Sequence, residues 1–157
     1  MKFKGLTVGV PREIMKNEYR VAAIPETVQK LCAEGAIVIV ETDAGKGSFF
    51  TNEQYKAAGA IIIDDVREIF NSSDIILKVK EPKFNEALHL HEVDMMKEHQ
   101  VLITFIHPAN PANHEMVSRL AEKGVSGFSL DCIPRITRAQ TMDALTSMST
   151  IAGYKGV

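Results

Sequence analysis

Tryptophan is absent from these 157 residues, cysteine occurs only twice, and neither sign of charge is in marked excess. No apolar run approaches the ~20 residues that carry a helix across a bilayer, which excludes such a span within the sequence. Cys32 and Cys132 are far apart and lack metal-type spacing, so two free thiols in a reducing compartment are expected. A net charge of −2 leaves no footprint for nucleic acid and no basic anchor for a membrane surface. The start, "MKFKGLTVGVPRE", is basic, but its apolar run is too short for a signal peptide and reads better as a strand. Nucleotide motifs are missing too. No GxGxxG follows any apolar run, so a dinucleotide pyrophosphate has no cradle here. "AGKGS" (Ala44 to Ser48) fails the phosphate-loop pattern because Gly47 follows Lys46, and it reads as a glycine-rich turn. What remains is 45% hydrophobic and 24% charged, the balance of one folded, cytoplasmic domain with a real core.

Short β-branched runs alternate with amphipathic stretches. "LTVGV" (Leu6 to Val10), "AIVIVE" (Ala36 to Glu41), "AIIID" (Ala60 to Asp64), "DIILKVK" (Asp74 to Lys80), "VLITFI" (Val101 to Ile106) and "VSGFSL" (Val125 to Leu130) read as strands. Most are apolar on both faces, as in a parallel sheet covered on both sides. Pro25 opens a helix that Gly35 ends; Thr51 and Gln54 form a capping box; Asn113 caps "HEMVSRLAEK", closed by Gly124. The expected fold is therefore α/β: a doubly wound, mostly parallel sheet of about six strands, Rossmann-like or flavodoxin-like, without the glycine fingerprint. Lys83 to Gln100 fits least well. It carries His89, His91 and His99 without a third metal ligand at useful spacing, so no metal is expected, and it reads as a solvated excursion over the sheet edge.

Three groups fall where open α/β sheets bind ligands, outside the carboxyl ends of strands. Lys80 ends one strand before Glu81-Pro82, His107 ends another before Pro108, and Arg20 lies in the loop after the first. Arginine grips a carboxylate with a fork, lysine polarises a carbonyl and histidine moves a proton near neutral pH. Each alone is an ordinary surface residue; three on one rim point to function. A second cluster lies in "PRITRAQTMDALTSMSTIAGYKGV". Its loop holds Arg135, Arg138, Gln140 and Asp143, and a helix is expected from about Ala139 with Met142, Leu145, Met148 and Ile151 as a core stripe. Asp143 suits a helix N-terminus, and Arg135 with Asp143 makes a plain ion pair; the same set can hold a carboxamide-bearing ring. The residues alone leave both open.

Over essentially its full length the chain resembles the N-terminal domain of the alanine dehydrogenase/nicotinamide nucleotide transhydrogenase family. The resemblance rests on "VGVPREIMKNEYRVAAIP", "GAIVIVETDAGKGSFFTNEQYKAAGA", "ILKVKEP", "TFIHPA" and "IPRITRAQTMDALTSMSTIAGYKGV". It implies a domain over residues 1–142, a crossover helix beginning at 143–157, and a Rossmann domain supplied elsewhere, with NAD(H) in the cleft between them. The transhydrogenase branch has a loop of PRISRAQ type at the nicotinamide, which maps onto Arg135, Arg138, Gln140 and Asp143. Thr146 departs from that branch, which usually has serine there. The "MS…AG" segment shared by both branches adds Ser149. Arg20, Lys80 and His107 match the residues with which alanine dehydrogenases bind pyruvate and carry protons, of which transhydrogenases often lack the lysine and histidine.

The leading expectation is the N-terminal domain of a transhydrogenase alpha subunit, passing hydride from NAD(H) to NADP(H) on a partner component. Membrane components would then be partners, with a homo-oligomer such as a dimer, no nucleic acid, and a cytoplasmic chain peripheral to the membrane through those subunits. The alternatives are NAD-dependent alanine dehydrogenase, with Lys80 and His107 catalytic and Arg20 and Lys80 holding substrate, and a folded but inactive module whose cleft face self-associates.

Overall fold

The computed structural model describes residues 1–156. Its strands are β1 (Thr7–Val10), β2 (Ile37–Glu41), β3 (Ile61–Ile63), β4 (Ile75–Leu77), β5 (Phe84–Asn85), β6 (Leu90–His91), β7 (Val101–Thr104) and β8 (Ser126–Ser129). Six form one sheet in the order β3-β2-β1-β4-β7-β8, and each neighbouring pair is parallel. The doubly wound sheet expected from the alternating pattern is therefore present. Its direction of winding reverses between β1 and β4, which makes the gap above them the topological switch point.

The helices are α1 (Pro25–Ala33), α2 (Asn52–Ala57), α3 (Val66–Ser72), α4 (Glu92–Met95), α5 (His114–Glu122) and α6 (Ala144–Lys155). Local chemistry sets their ends. Pro25 occupies the first turn of α1, where its missing N–H costs nothing. Gly35 follows α1 with φ +97°, a conformation that a side chain opposes. Thr51 and Gln54 satisfy each other's backbone N–H groups at the start of α2. The pleat then sorts the core. Val8, Val10, Val38 and Val40 pack with Val28 of α1 and Tyr55 of α2 on one face. Ile39, Ile76 and Leu102 pack with Ile69 and Phe70 of α3, Val93 of α4 and Met116 and Leu120 of α5 on the other.

Four expectations need correction. Both site strands are shorter than their apolar runs: β4 ends at Leu77 and β7 at Thr104, so Lys80 and His107 lie beyond the strands rather than at their last residues. Carboxylates draw these backbones off the ladder. Glu13 accepts from the amides of Val79 and Lys80, and Asp131 from those of Ile106 and His107. Asn113 stands at the start of α5 but does not cap it with its side chain; its amide nitrogen donates to the carbonyls of Ile106 and His107 instead. The stretch from Lys83 to Gln100 is not merely a solvated excursion. It forms the β5–β6 hairpin and α4, which bury Glu92, Val93 and Met96. Finally, α6 begins at Ala144 rather than near Ala139, after a single 3-10 turn at Thr137–Ala139. Its apolar stripe is not core among the described residues: Met142 is 59% and Ile151 65% exposed.

Candidate functional site

The carboxyl ends of β1, β4 and β7 carry the predicted polar groups. Beyond β1 the chain makes a loop whose shape depends on Gly47. A Cβ at Gly47 would stand 2.7 Å from the Tyr19 carbonyl oxygen, so only glycine lets the two backbones meet. Ser48 adds a hydrogen bond from its hydroxyl to the same carbonyl at 2.8 Å. The loop so anchored presents Arg20 in a forked contact with Glu18, Nε to Oε1 at 2.7 Å and Nη2 to Oε2 at 2.5 Å. Those bonds hold the Glu18 carboxyl below its usual range. The third guanidinium nitrogen lies 2.9 Å from the sulfur of Met148, so α6 crosses beside Arg20. A cavity of about 330 Å³ lined by Arg12, Glu13, Glu18, Tyr19, Arg20 and Lys46, among others, opens here.

Lys80 is fixed by its backbone. Its N–H points at Glu13 and its carbonyl accepts from the Thr104 hydroxyl at 2.9 Å. Its charge adds a small contribution to the lowering of Glu18. His107 is held in a left-handed conformation, φ +50°, by the backbone contacts of Asp131 and Asn113. Its ring stacks on Phe105 with centroids 5.8 Å apart. Nδ1 is 3.1 Å from Glu81 and Nε2 3.6 Å from Asp131, so an N–H on either nitrogen faces a carboxylate. Burial by itself would raise Glu81, but the bond from Lys83, with help from His107, brings it below its usual range. Asp131 is likewise lowered, burial being outweighed by the His107 amide and the Ser129 hydroxyl. Both stay ionised at neutral pH.

The loop cluster is built separately. Asp143 caps α6, accepting from the amides of Leu145 and Thr146 and from the Thr146 hydroxyl at 2.5 Å. That hydroxyl and then the amides hold its carboxyl below the usual range. Thr146 makes this bond through its hydroxyl, a group that serine would share. Arg135 is 4.0 Å from Asp143 and largely exposed, so most of its donors remain open to the cavity. The expected ion pair is present but long. Arg135, Gln140, Asp143 and Thr146 line one cavity of about 410 Å³. Arg138 and Ser149 do not line it; both are exposed, Arg138 in the 3-10 turn and Ser149 on α6.

Sequence reasoning missed four residues at this rim: Glu13, Lys78, Glu92 and Asp131. Lys78 is completely buried, 2.9 Å from Glu92 and 3.3 Å from Glu13. Burial works against its charge, but the two carboxylates more than offset that and keep it protonated. A lysine inside an apolar strand run was the visible signal, and its partner Glu92 sits in the segment that read as solvated. A larger cavity of about 700 Å³ lies over β2 and β3, lined by Arg12, Glu13, Glu41, Asp64, Arg67, Phe84 and others, and contains none of the predicted site residues. Among the described residues no group of three or more histidine, cysteine, aspartate or glutamate side chains is placed to hold a metal ion, and no helix is long and apolar enough to cross a membrane.

A parallel doubly wound sheet with Arg20 in the loop after β1, Lys80 beyond β4 and His107 beyond β7 has the frame on which α/β domains bind ligands at the carboxyl ends of strands. Comparison makes this specific. The family described as "Alanine dehydrogenase/PNT, N-terminal domain" matches residues 9–152, and the chain belongs to that family. It is 42% identical over 152 residues to "NAD(P) transhydrogenase subunit alpha" of Haemophilus influenzae, covering 97% of this chain and 28% of that relative. It is 38% identical over 148 residues to "Alanine dehydrogenase" of Bacillus subtilis, covering 94% of this chain and 36% of that one. Among solved structures, a transhydrogenase from Sinorhizobium meliloti superimposes with a TM-score of 0.84 at 36% identity, over 94% of this chain and 40% of the other. The chain thus spans well under half the length of these relatives. The family includes oxidoreductases, and the relatives' names are consistent with nicotinamide cofactors.

Proposed function

We propose that the chain is the N-terminal domain of an NAD(P) transhydrogenase alpha subunit, binding NAD(H) jointly with a Rossmann domain. The observation that carries this reading is the cavity shared by Arg135, Gln140 and Asp143. A nicotinamide carboxamide needs a donor and an acceptor in one plane, and Gln140 supplies both. Arg135 keeps free donors, while Asp143, already serving α6, holds the loop to the helix start. The cofactor would supply hydride chemistry; this chain's residues would orient the ring and exclude water. Arg138 and Ser149 would meet the remainder of the nucleotide from outside the cavity, and NADP(H) would bind a partner component.

A second reading, alanine dehydrogenase chemistry, is favoured by a different observation: His107 is bracketed by two carboxylates, and Glu13, which lines the Arg20 cavity, faces the Lys80 amide. In it Arg20 releases Glu18 to grip the carboxylate of a 2-oxo acid, Lys80 polarises the keto oxygen, and His107 shuttles the proton.

The complete chain bearing this domain, with its partner component, separates the two. Hydride exchange from NADH to an NADP⁺ analogue is expected, lowered by about three- to tenfold in Gln140→Ala, the net worth of one neutral hydrogen bond. NADH oxidation with pyruvate and ammonia, lost in Lys80→Ala or His107→Ala, would sink the transhydrogenase reading and establish the second.

A further inference from the structure

The loop carrying Arg20 and the segment carrying Lys80 meet on one side chain, Glu13. Its Oε1 accepts from the Val79 amide at 2.6 Å, and its Oε2 faces the Lys80 amide and the Lys78 ammonium, each at 3.3 Å. Glu13 also lines the Arg20 cavity and adds to the field on the Arg20 guanidinium. On the other side of Lys78, Glu92 accepts from its ammonium at 2.9 Å and from the Lys83 amide at 2.8 Å. One buried lysine therefore joins three segments: the loop after β1, the chain leaving β4, and the start of α4.

Stability is a poor explanation for this arrangement. Buried ion sets rarely outperform apolar residues of equal volume, and here two carboxylates face a single ammonium. Their best-attested use is to fix register. Glu13 spends its oxygens on backbone amides of the segment that bears Lys80. With the Lys80 carbonyl held by Thr104, both backbone polar groups of that residue are pinned by side chains from other elements.

We propose that Glu13, anchored by Lys78, is the positioning residue that sets Lys80 and Arg20 at a fixed spacing for a substrate carrying a carboxylate and an adjacent carbonyl. The assignment rests on the amino-acid reading of the Arg20–Lys80–His107 rim. In this role Glu13 acts through Lys80, its oxygens being taken up by the Val79 and Lys80 amides and the Lys78 ammonium.

The test uses the complete chain with four variants: Glu13→Ala, Glu13→Gln, Lys80→Ala and, as a purely destabilising control in the core, Ile69→Val. Glu13→Gln keeps the shape and one acceptor oxygen, so it preserves the fold should Glu13→Ala fail. Amide hydrogen exchange is read at Val79 and Lys80, beside steady-state turnover of pyruvate with ammonia and NADH. In Glu13→Gln the Val79 or Lys80 amide exchanges about tenfold faster while β1 and β7 keep their protection. The kcat/KM for pyruvate falls about 100-fold, as for a displaced catalytic group, with KM and kcat both affected. The control loses thermal stability and keeps its kcat/KM. Unchanged exchange at both amides, or faster exchange spread evenly over the sheet, overturns the positioning role. So does selective exchange with unaltered kcat/KM when Lys80→Ala abolishes turnover. If Lys80→Ala leaves pyruvate turnover intact or there is none to lose, the amino-acid reading fails, and the exchange pattern alone decides whether Glu13 holds the segment.

Discussion

Gly47 shows how a single missing side chain governs the Arg20 cavity. Its Cβ would meet the backbone of Tyr19, at the carbonyl oxygen and at Cα, and backbone does not give way cheaply. Gly47→Ala is expected to cost about 1–3 kcal/mol and to shift the loop that carries the Glu18–Arg20 fork. Gly153, in α6, has open space around its Cβ position, so Gly153→Ala should stabilise the helix by up to about 1 kcal/mol. Thermal unfolding of the two variants measures both signs. In the complete chain, Gly47→Ala should also weaken carboxylate binding while Gly153→Ala leaves it alone. The comparison separates a backbone contact that serves the cavity from the general dislike of glycine in helices.

Elements end where side chains intervene. Thr51 caps α2 and Asp143 caps α6 through contacts within three residues, which is why such boundaries can be found in a linear pattern. The Asp143 cap also carries a charge with a sign that can be followed. Its folded pKa lies below the ordinary 3.8, chiefly through the Thr146 hydroxyl. A depressed acid stabilises the folded form fully above its ordinary value and loses that contribution as pH falls through the lower, folded value. The start of α6 should therefore fray selectively in acid below about pH 3.8. Asp143→Asn retains capping ability but carries no charge, so its fraying should not depend on pH in that range. Amide exchange at Leu145 and Thr146 between pH 5 and pH 2.5, corrected for intrinsic rates, reads this directly; equal pH dependence in both proteins contradicts it.

At the scale of the molecule, the sheet is covered on one face by α3, α4 and α5 but incompletely on the other. Leu77, Ile103 and Phe128 are aligned across β4, β7 and β8, and Phe128 is 60% exposed. A groove of about 660 Å³ runs from there past Leu130, Ile133 and Pro134 to Met142. On α6, Ile151 and Tyr154 are exposed as well. A parallel sheet is normally buried on both faces, so this exposed apolar surface is an interaction face by its physical character. The isolated chain is expected to associate with rising concentration, and Phe128→Ser to reduce that association without unfolding it. Sedimentation velocity across a hundredfold concentration range checks it; a monomer throughout counts against the self-associating module.

Much of this protein was legible in the residues themselves. β-branched runs bounded by caps and left-handed glycines specify the six sheet strands and most helices, because those signals act between residues a few positions apart. The family resemblance also stood on contiguous words of sequence, from "VGVPRE" to "RITRAQ". What needed tertiary structure was every feature made by distant partners. Glu13 ends the β4 ladder by bonding Val79, 66 residues away, and Asp131 does the same to His107 from 24 residues beyond it. Lys78 read as strand interior until Glu92 appeared beside it from a segment that looked solvated. The stripe on α6 has helical spacing, yet spacing alone does not say whether a neighbour is present to cover it. Periodicity is a property of the chain; burial and pairing are properties of what the fold brings against it.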